Sequence, residues 1–303
     1  MQVVFHFMNR TKHIIEAPTH LGLKAPAPGQ EPGVKDLPAW LRKHGLYDYI
    51  NPKTVRTIPP PAYSMTLEQE SGLRNAESIT QYSKQLARTV AELAGKNAFL
   101  VVLGGDCSIL LGTMLGLKKV GEYGLFFLDG HTDFIGPELS QTGGAAGMDL
   151  ALATGYGPDK LTNIDDQQPY VQENRVWCVG NREYDASYVQ PINESNVHYY
   201  PLVWLREQGV TSCADEFLAM VENTSLDGFW IHLDVDVLHD EIMPAVDSRQ
   251  PDGLSYQELG ELLTRLVRSE KAAGLQITIL DPTLDSSGEI TRLFVDNMGP
   301  ILS

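Results

Sequence analysis

Three short stretches carry side chains that can do chemistry together. "GGDCSILLG" at 104–112 holds Asp106 and Cys107. "DGHTDF" at 129–134 holds Asp129, His131 and Asp133. "HLDVDV" at 232–237 holds Asp234 and Asp236 inside a run that otherwise reads as core. Two carboxylates in an apolar strand repel each other and lose hydration, so without compensation they raise their pKa or break the strand. A divalent cation removes both costs. A structural role as loop caps, accepting backbone N–H groups at a strand end, is the other reading of Asp234 and Asp236 alone. The i, i+2, i+4 spacing of Asp129, His131 and Asp133 places all three on one side of an extended segment, and this second acid-rich strand end moves the balance toward metal. Carboxylates with one imidazole suit Mn²⁺ better than a structural zinc site. Two ions sharing carboxylates generate hydroxide at neutral pH and clamp a tetrahedral intermediate.

For the three stretches to meet, they must arrive at one end of one sheet. "MQVVFHF", "AFLVVLG", "YGLFFLD", "RVWCVG", "GFWIHLDVDV" and "LQITIL" read as strands, several of them almost continuously apolar, as strands covered on both faces are. Between them run amphipathic stretches such as "AESITQYSKQLARTVAELAG" and "SYQELGELLTRLVRS", the latter opened by Ser255 and Glu258 as a capping box. This alternation predicts an α/β fold: a single three-layer αβα domain over 1–303, with a mainly parallel, doubly wound sheet and right-handed crossovers. Ligands of such sheets bind beyond the carboxyl ends of the strands, where the acids lie. Residues 16–62, rich in Pro, Gly and Lys, read as an irregular, helix-poor insertion, and "GPELSQTGGAAG" at 136–147 as a flexible loop.

Composition bounds the partners. The chain has 303 residues and a net charge of −16, which excludes nucleic acid and anionic membrane surfaces as natural partners. The acidity suits a cationic substrate or a metal, or serves solubility alone. No apolar run approaches the roughly 20 residues that span a bilayer, and "MQVVFHFMNR" lacks the pattern of a secretory signal. Cys107, Cys178 and Cys213 are too few and too odd in number for a disulfide framework, so a cytoplasmic location is expected.

"GGDCS", "DGHTD" and "HLDVDVLHDEIMPAVDSRQPDGLSY" resemble, in order and spacing, the signature blocks of the ureohydrolase family (arginase, agmatinase, formimidoylglutamase). That family usually reads G-G-D-H-S, D-A-H-x-D and S-x-D-x-D, followed by a Pro-Ala loop and G-G-L-[ST]-Y. The similarity spans roughly residues 90 to 300. It implies a two-metal site, with Cys107, Asp129, Asp133 and Asp234 on one ion and Asp129, His131, Asp234 and Asp236 on the other. Asp129 and Asp234 would bridge, together with a nucleophilic hydroxide. It also implies two Mn²⁺ ions, with Zn²⁺, Fe²⁺ or Ni²⁺ as alternatives, a small-molecule substrate, and a homotrimer or homohexamer. Cys107 stands where the family places a histidine ligand; a thiolate is softer, charged, and must first lose a proton. An inert buried thiol beside a half-lost site is the other reading.

The departures concern the substrate. Arginases carry Asn, Ser, Asn and His after the second block; here these positions are Ile135, Thr142, Gly144 and Ala146, so the proton-shuttling His is absent. Their late E-V-N-P, whose Glu holds the guanidinium, becomes "ILDP", which puts Ile279 at the Glu. A guanidinium without that carboxylate loses a charge-assisted, bidentate partner. "GNREYD" resembles G-x-R-D-x-D: Arg182 buttresses the turn, and Asp185 matches a substrate-amine contact. Replacements for the lost roles are Asp133, His239 or Glu138 for proton transfer, and Arg249, Thr142 and Asp185 for substrate. Each has a plain alternative: Arg249 as a surface pair of Asp247, Glu138 as a solvated loop acid. His232 lies either just beneath the ions or in the core as a hydrogen-bonded histidine. The resulting expectation is a metal-dependent hydrolase of linear C–N bonds that is not a true arginase. A catalytically weak binding or regulatory subunit is the alternative, and a structural partner in a hetero-oligomer a third.

Overall fold

Alternating side chains in the central strands feed two separate cores, and this alternation builds the layers. Val101, Leu103, Phe126, Leu128, Ile231 and Leu233 pack into one core; Leu100, Val102, Leu125, Phe127 and Trp230 pack into the other. The computed structural model describes residues 10–183 and 185–303. Its strands are β1 (Thr11–Ala17), β2 (Thr54–Thr57), β3 (Ala98–Gly104), β4 (Tyr123–Leu128), β5 (Val176–Val179), β6 (His198–Tyr200), β7 (Gly228–Asp234) and β8 (Ala272–Thr278). They form one sheet in the order β2-β1-β3-β8-β7-β4-β5-β6, and every pairing is parallel.

The helices are α1 (Leu37–Lys43), α2 (Leu46–Ile50), α3 (Ala76–Leu93), α4 (Ile109–Lys118), α5 (Asp149–Ala153), α6 (Asp159–Thr162), α7 (Ala186–Asn193), α8 (Leu202–Gln208), α9 (Ser212–Glu222), α10 (Tyr256–Arg268) and α11 (Glu289–Leu302). Helices α1, α2 and α8 to α11 bury their apolar faces in the first core, and α3 to α7 in the second. The molecule is therefore the expected single αβα domain. Helix α10 starts at the expected capping box: Ser255 Oγ accepts from Glu258 N at 3.2 Å, and Glu258 Oε2 accepts from Ser255 N at 2.7 Å.

Several strands differ from the sequence reading, β1 among them: "TKHIIEA" is not one of the strands the sequence predicts. "GFWIHLDVDV" stops being a strand at Asp234, because Asp234 Oδ1 accepts the N–H of Asp236 at 2.8 Å and turns 235–237 into a 3₁₀ turn. The segment 16–62 is not wholly irregular: it holds the end of β1, strand β2 and helices α1 and α2. Strand β6, three residues long, escaped pattern reading. The expected strand "MQVVFHF" lies outside the described residues. Among those described, no helix is long and apolar enough to cross a membrane.

Candidate metal centre

The neighbouring strands β3, β8, β7 and β4 end side by side, and their carboxyl ends deliver the polar residues. Cys107 sits in the tight turn between β3 and α4. The turn is pressed onto the end of β1, where a Cβ on Gly105 would stand 1.6 Å from the Thr19 carbonyl oxygen, so only glycine fits. Asp106, within the same turn, does not face the cluster. Its two oxygens accept the N–H groups of Gly22 at 3.1 Å and Ser108 at 2.9 Å, fastening the 19–22 loop to the turn. Cys107 Sγ does face the cluster, 2.9 Å from Asp234 Oδ2 and 3.2 Å from Thr278 Oγ1. Burial first, and then the charges of Asp234, Asp149, Asp129 and Asp133, push its thiol well above the ordinary range.

Asp129 follows β4, with Oδ1 accepting His131 N at 2.6 Å and Oδ2 buried without a partner. Beyond it the chain curls, and Asp133 takes φ +45°. The three residues of "DGHTD" therefore do not share one side of an extended segment. His131 turns to Asp236, its Nδ1 2.9 Å from Asp236 Oδ2 and 3.7 Å from Asp129 Oδ1. Burial lowers the His131 pKa, but Asp236 and Asp129 outweigh it and hold the imidazole well above its usual range. Burial likewise raises Asp236, but His131, the Gly130 N–H and Arg182 bring it below the usual value. Asp234 is raised well above it, by burial and then by the charges of Asp236 and Asp129.

Two residues brace this geometry. Asn181 donates to the carbonyls of Asp129 (2.9 Å) and His131. Arg182 donates to the carbonyls of Asp236 (2.8 Å) and Pro251 (3.1 Å), the buttress expected of it. Two sets of donor atoms result, each lying within 4.8 Å of one another: Cys107, Asp129, His232 and Asp234, and Asp129, His131 and Asp236. Asp133 belongs to neither set and lines the open cleft instead, its carboxyl raised by burial and then by Asp129. His232, which the sequence left open between a place beneath the ions and the core, is fully buried beside Asp129. One further residue was not legible as a site residue: Asp149 is fully buried with neither oxygen partnered, raised by burial and then by Asp133 and Asp129. The one available signal for Asp149 was an acid inside the apolar run "GMDLALA".

The cluster forms the floor of a cleft of about 960 Å³, a size suited to a small molecule. Cys107, His131, Asp133, Asp234, Asp236, Thr142 and Arg249 line it, together with Ile135, Ala146 and Ile279 at the positions where the sequence departs from the family pattern. Glu183 and Tyr188 line it too; Asp185, Glu138 and His239 are not among its wall residues. Asp185 instead caps α7, accepting from Ser187 N at 2.8 Å and Ser187 Oγ at 2.6 Å. His239 Nδ1 accepts from Glu241 N at 3.2 Å. Arg249 is clasped at Nε and Nη2 by the two oxygens of Asp240, at 2.6 and 2.8 Å, and not by Asp247.

Comparison with known proteins agrees with this architecture. The arginase of Bacillus caldovelox is 29% identical over 233 residues, covering 77% of this chain and 78% of that one. The arginase of Brevibacillus brevis is 30% identical over 226 residues, covering 74% and 76%. The native crystal structure of the Bacillus caldovelox enzyme superposes with a TM-score of 0.86 at 26% identity, over 97% of this chain and 98% of that one. The arginase-family model matches residues 27–298, and with the fold and the acid-lined cleft it establishes that the chain belongs to the arginase family of hydrolases.

Proposed function

We propose that the chain is a metal-dependent hydrolase of linear C–N bonds in a small amidine, guanidino or amide substrate, and that it does not hold arginine as arginases do. One observation carries the metal reading: Asp129 Oδ2 is buried without a partner in the midst of carboxylates. Buried polar atoms in native proteins are nearly always met by a protein group, an ordered water or an ion. The donors fit a pair of divalent cations. Cys107, Asp129, Asp133 and Asp234 would hold one, and Asp129, His131, Asp234 and Asp236 the other. Mn²⁺ is the first choice, and the thiolate leaves room for Zn²⁺, Fe²⁺ or Ni²⁺. Bound there, such ions supply Lewis acidity and acidify water.

The remaining roles fall to the chain's own residues. Asp133, in the cleft wall beside the ligand acids, is placed to pass a proton between water and substrate. Glu138 and His239 reach the substrate only if their loops move. Ser248 Oγ, 3.3 Å from His131 Nε2, steadies that ring at the cleft mouth. Lys24 on the rim offers a cation for a substrate carboxylate, as does Arg249 if Asp240 releases it. A guanidinium reaching the wall meets Ile279 where a carboxylate is needed, and Ala146 offers no imidazole. By the family pattern, this chain would share the metal end of the cleft with arginases, while its substrate end departs from theirs. A homotrimer or homohexamer is the proposed assembly, by family resemblance, and sedimentation at micromolar concentration tests it.

The test is metal analysis of protein purified without chelator, with assays over a panel of guanidino, N-hydroxyguanidino, ureido and amide compounds. We expect bound divalent metal and turnover of a compound other than arginine. Absence of metal uptake overturns the reading. Full occupancy with no turnover on the whole panel favours a binding or regulatory subunit, and efficient arginine hydrolysis refutes the substrate argument.

A further inference from the structure

We propose that His232 is a positioning residue that presents an Nε2–H to Asp129 as a single, fixed tautomer; this rests on the metal-centre reading above. Two neighbours on β7 and β8 determine the tautomer. Trp230 Nε1 can only donate, and it lies 3.1 Å from Gln276 Oε1. That bond orients the Gln276 amide, oxygen toward Trp230 and nitrogen 2.7 Å from His232 Nδ1. The amide nitrogen also donates, so Nδ1 must accept and carries no proton. The ring proton is therefore on Nε2. Nε2 lies 3.8 Å from Asp129 Oδ2, and neither atom has a hydrogen-bond partner.

The ring is held in this orientation. Register sets His232 beside Phe127 on β4 and Gln276 on β8. Its imidazole stacks on Phe127 at 4.4 Å between centroids and 7° between planes, and Trp230, His232 and Gln276 are all fully buried. An imidazole nitrogen that carries a proton cannot bind a metal. The four-donor set therefore resolves into three ligands, Cys107, Asp129 and Asp234, and one hydrogen-bond donor. The gap of 3.8 Å exceeds hydrogen-bond length; a small turn of the Asp129 carboxylate toward the ring would close it. Asp129 is then steered from behind by histidine, where the family pattern carries serine. Outer donors of this kind orient metal-binding carboxylates and commonly change metal affinity 10- to 100-fold, on the order of magnitude seen in other sites.

Nitrogen-15 NMR of the metal-free and Zn²⁺-loaded protein reads the tautomer directly. We expect His232 Nε2 to keep its one-bond N–H coupling in both states, with Nδ1 bare. Loss of that coupling on adding Zn²⁺ makes Nε2 a ligand and overturns the proposal. Gln276→Glu gives opposite signs for the two roles. A carboxylate can only accept, so it draws a proton onto Nδ1. If His232 is the donor, Zn²⁺ and Mn²⁺ bind about tenfold more weakly, because the ring either loses its Nε2–H or becomes a cation beside the metal; if it is a ligand, they bind more tightly. His232→Gln, which keeps an N–H at similar reach, should retain affinity within about threefold, while His232→Leu should lose about tenfold or more. Equal losses in both variants overturn the proposal. Failure of wild-type protein to take up either metal removes the metal-centre reading, while the metal-free spectrum still decides the tautomer.

Discussion

Cys107 stands where the ureohydrolase sequence pattern would place a histidine ligand. Its thiol is buried between Asp234 and Thr278, and its deprotonation is opposed by every acid around it. Metal uptake on its side should release a proton and weaken as pH falls. We expect Cys107→His to tighten Mn²⁺ by about tenfold without conferring arginine hydrolysis, because Ile279 and Ala146 still line the cleft. Titration with Mn²⁺ and an arginine assay on the same variant check both halves. Weaker binding would mean a thiolate tuned to a softer ion. Asp129, His131, Asp234 and Asp236 were legible in the sequence because acids at the ends of apolar strands demand an explanation. Asp149 was not, and His232 was read only as one of two alternatives, since a lone polar residue in an apolar run looks like satisfied core until its unpartnered atoms are seen in three dimensions. Asp106 misled for the opposite reason: it stands next to the thiol in sequence, but its carboxylate serves a loop.

Among the elements, most long buried strands and the amphipathic helices could be read ahead of the structure; β1, an internal strand of seven residues, and the short strands β2 and β6 could not. Strand β3 matches "AFLVVLG" to the residue. Strand β2 is an edge strand of four residues, three of them exposed, and so carries no hydrophobic signal. The chain reversal after Asp129 was hidden because period-2 spacing implies an extended backbone, and Asp133 adopts a left-handed one instead. Helix α10 provides a control outside the lining of the cleft. Ser255→Ala removes one half of a capping box and should lower stability by about 1 kcal/mol, measured by denaturant unfolding, with metal affinity unchanged. A change in affinity would show that the helix communicates with the site.

At the scale of the molecule, the acid cluster makes folding depend on pH and on metal together. Asp133, Asp149 and Asp234 have folded pKa values raised above the ordinary 3.8, and His131 above 6.5. A raised group binds its proton more tightly folded than unfolded. Its contribution is full below the unfolded pKa and is lost as pH rises through the folded value. The depressed His13, His20, His198 and His232 act in the opposite sense, with the smaller shifts, so metal-free protein should melt at a higher temperature at about pH 5 than at about pH 8. Mn²⁺ should raise the melting temperature most at the higher pH, because an ion bound only to the folded state stabilises it. Thermal melts with and without chelator decide this. A metal-free protein more stable at the higher pH would mean that the cluster's charges are compensated by other groups.

Ile279 occupies the cleft wall with φ +73°, a β-branched side chain in a backbone region that suits Gly, Asn and Asp. Relaxing that backbone recovers roughly 1 kcal/mol or more. Exchanges that carve new specificity into an enzyme usually erode its robustness. Here a polar newcomer of the right backbone type would recoup part of its own cost of burial. The position is thus a hinge point for divergence, one where descent with modification toward a different substrate meets unusually little resistance from the scaffold.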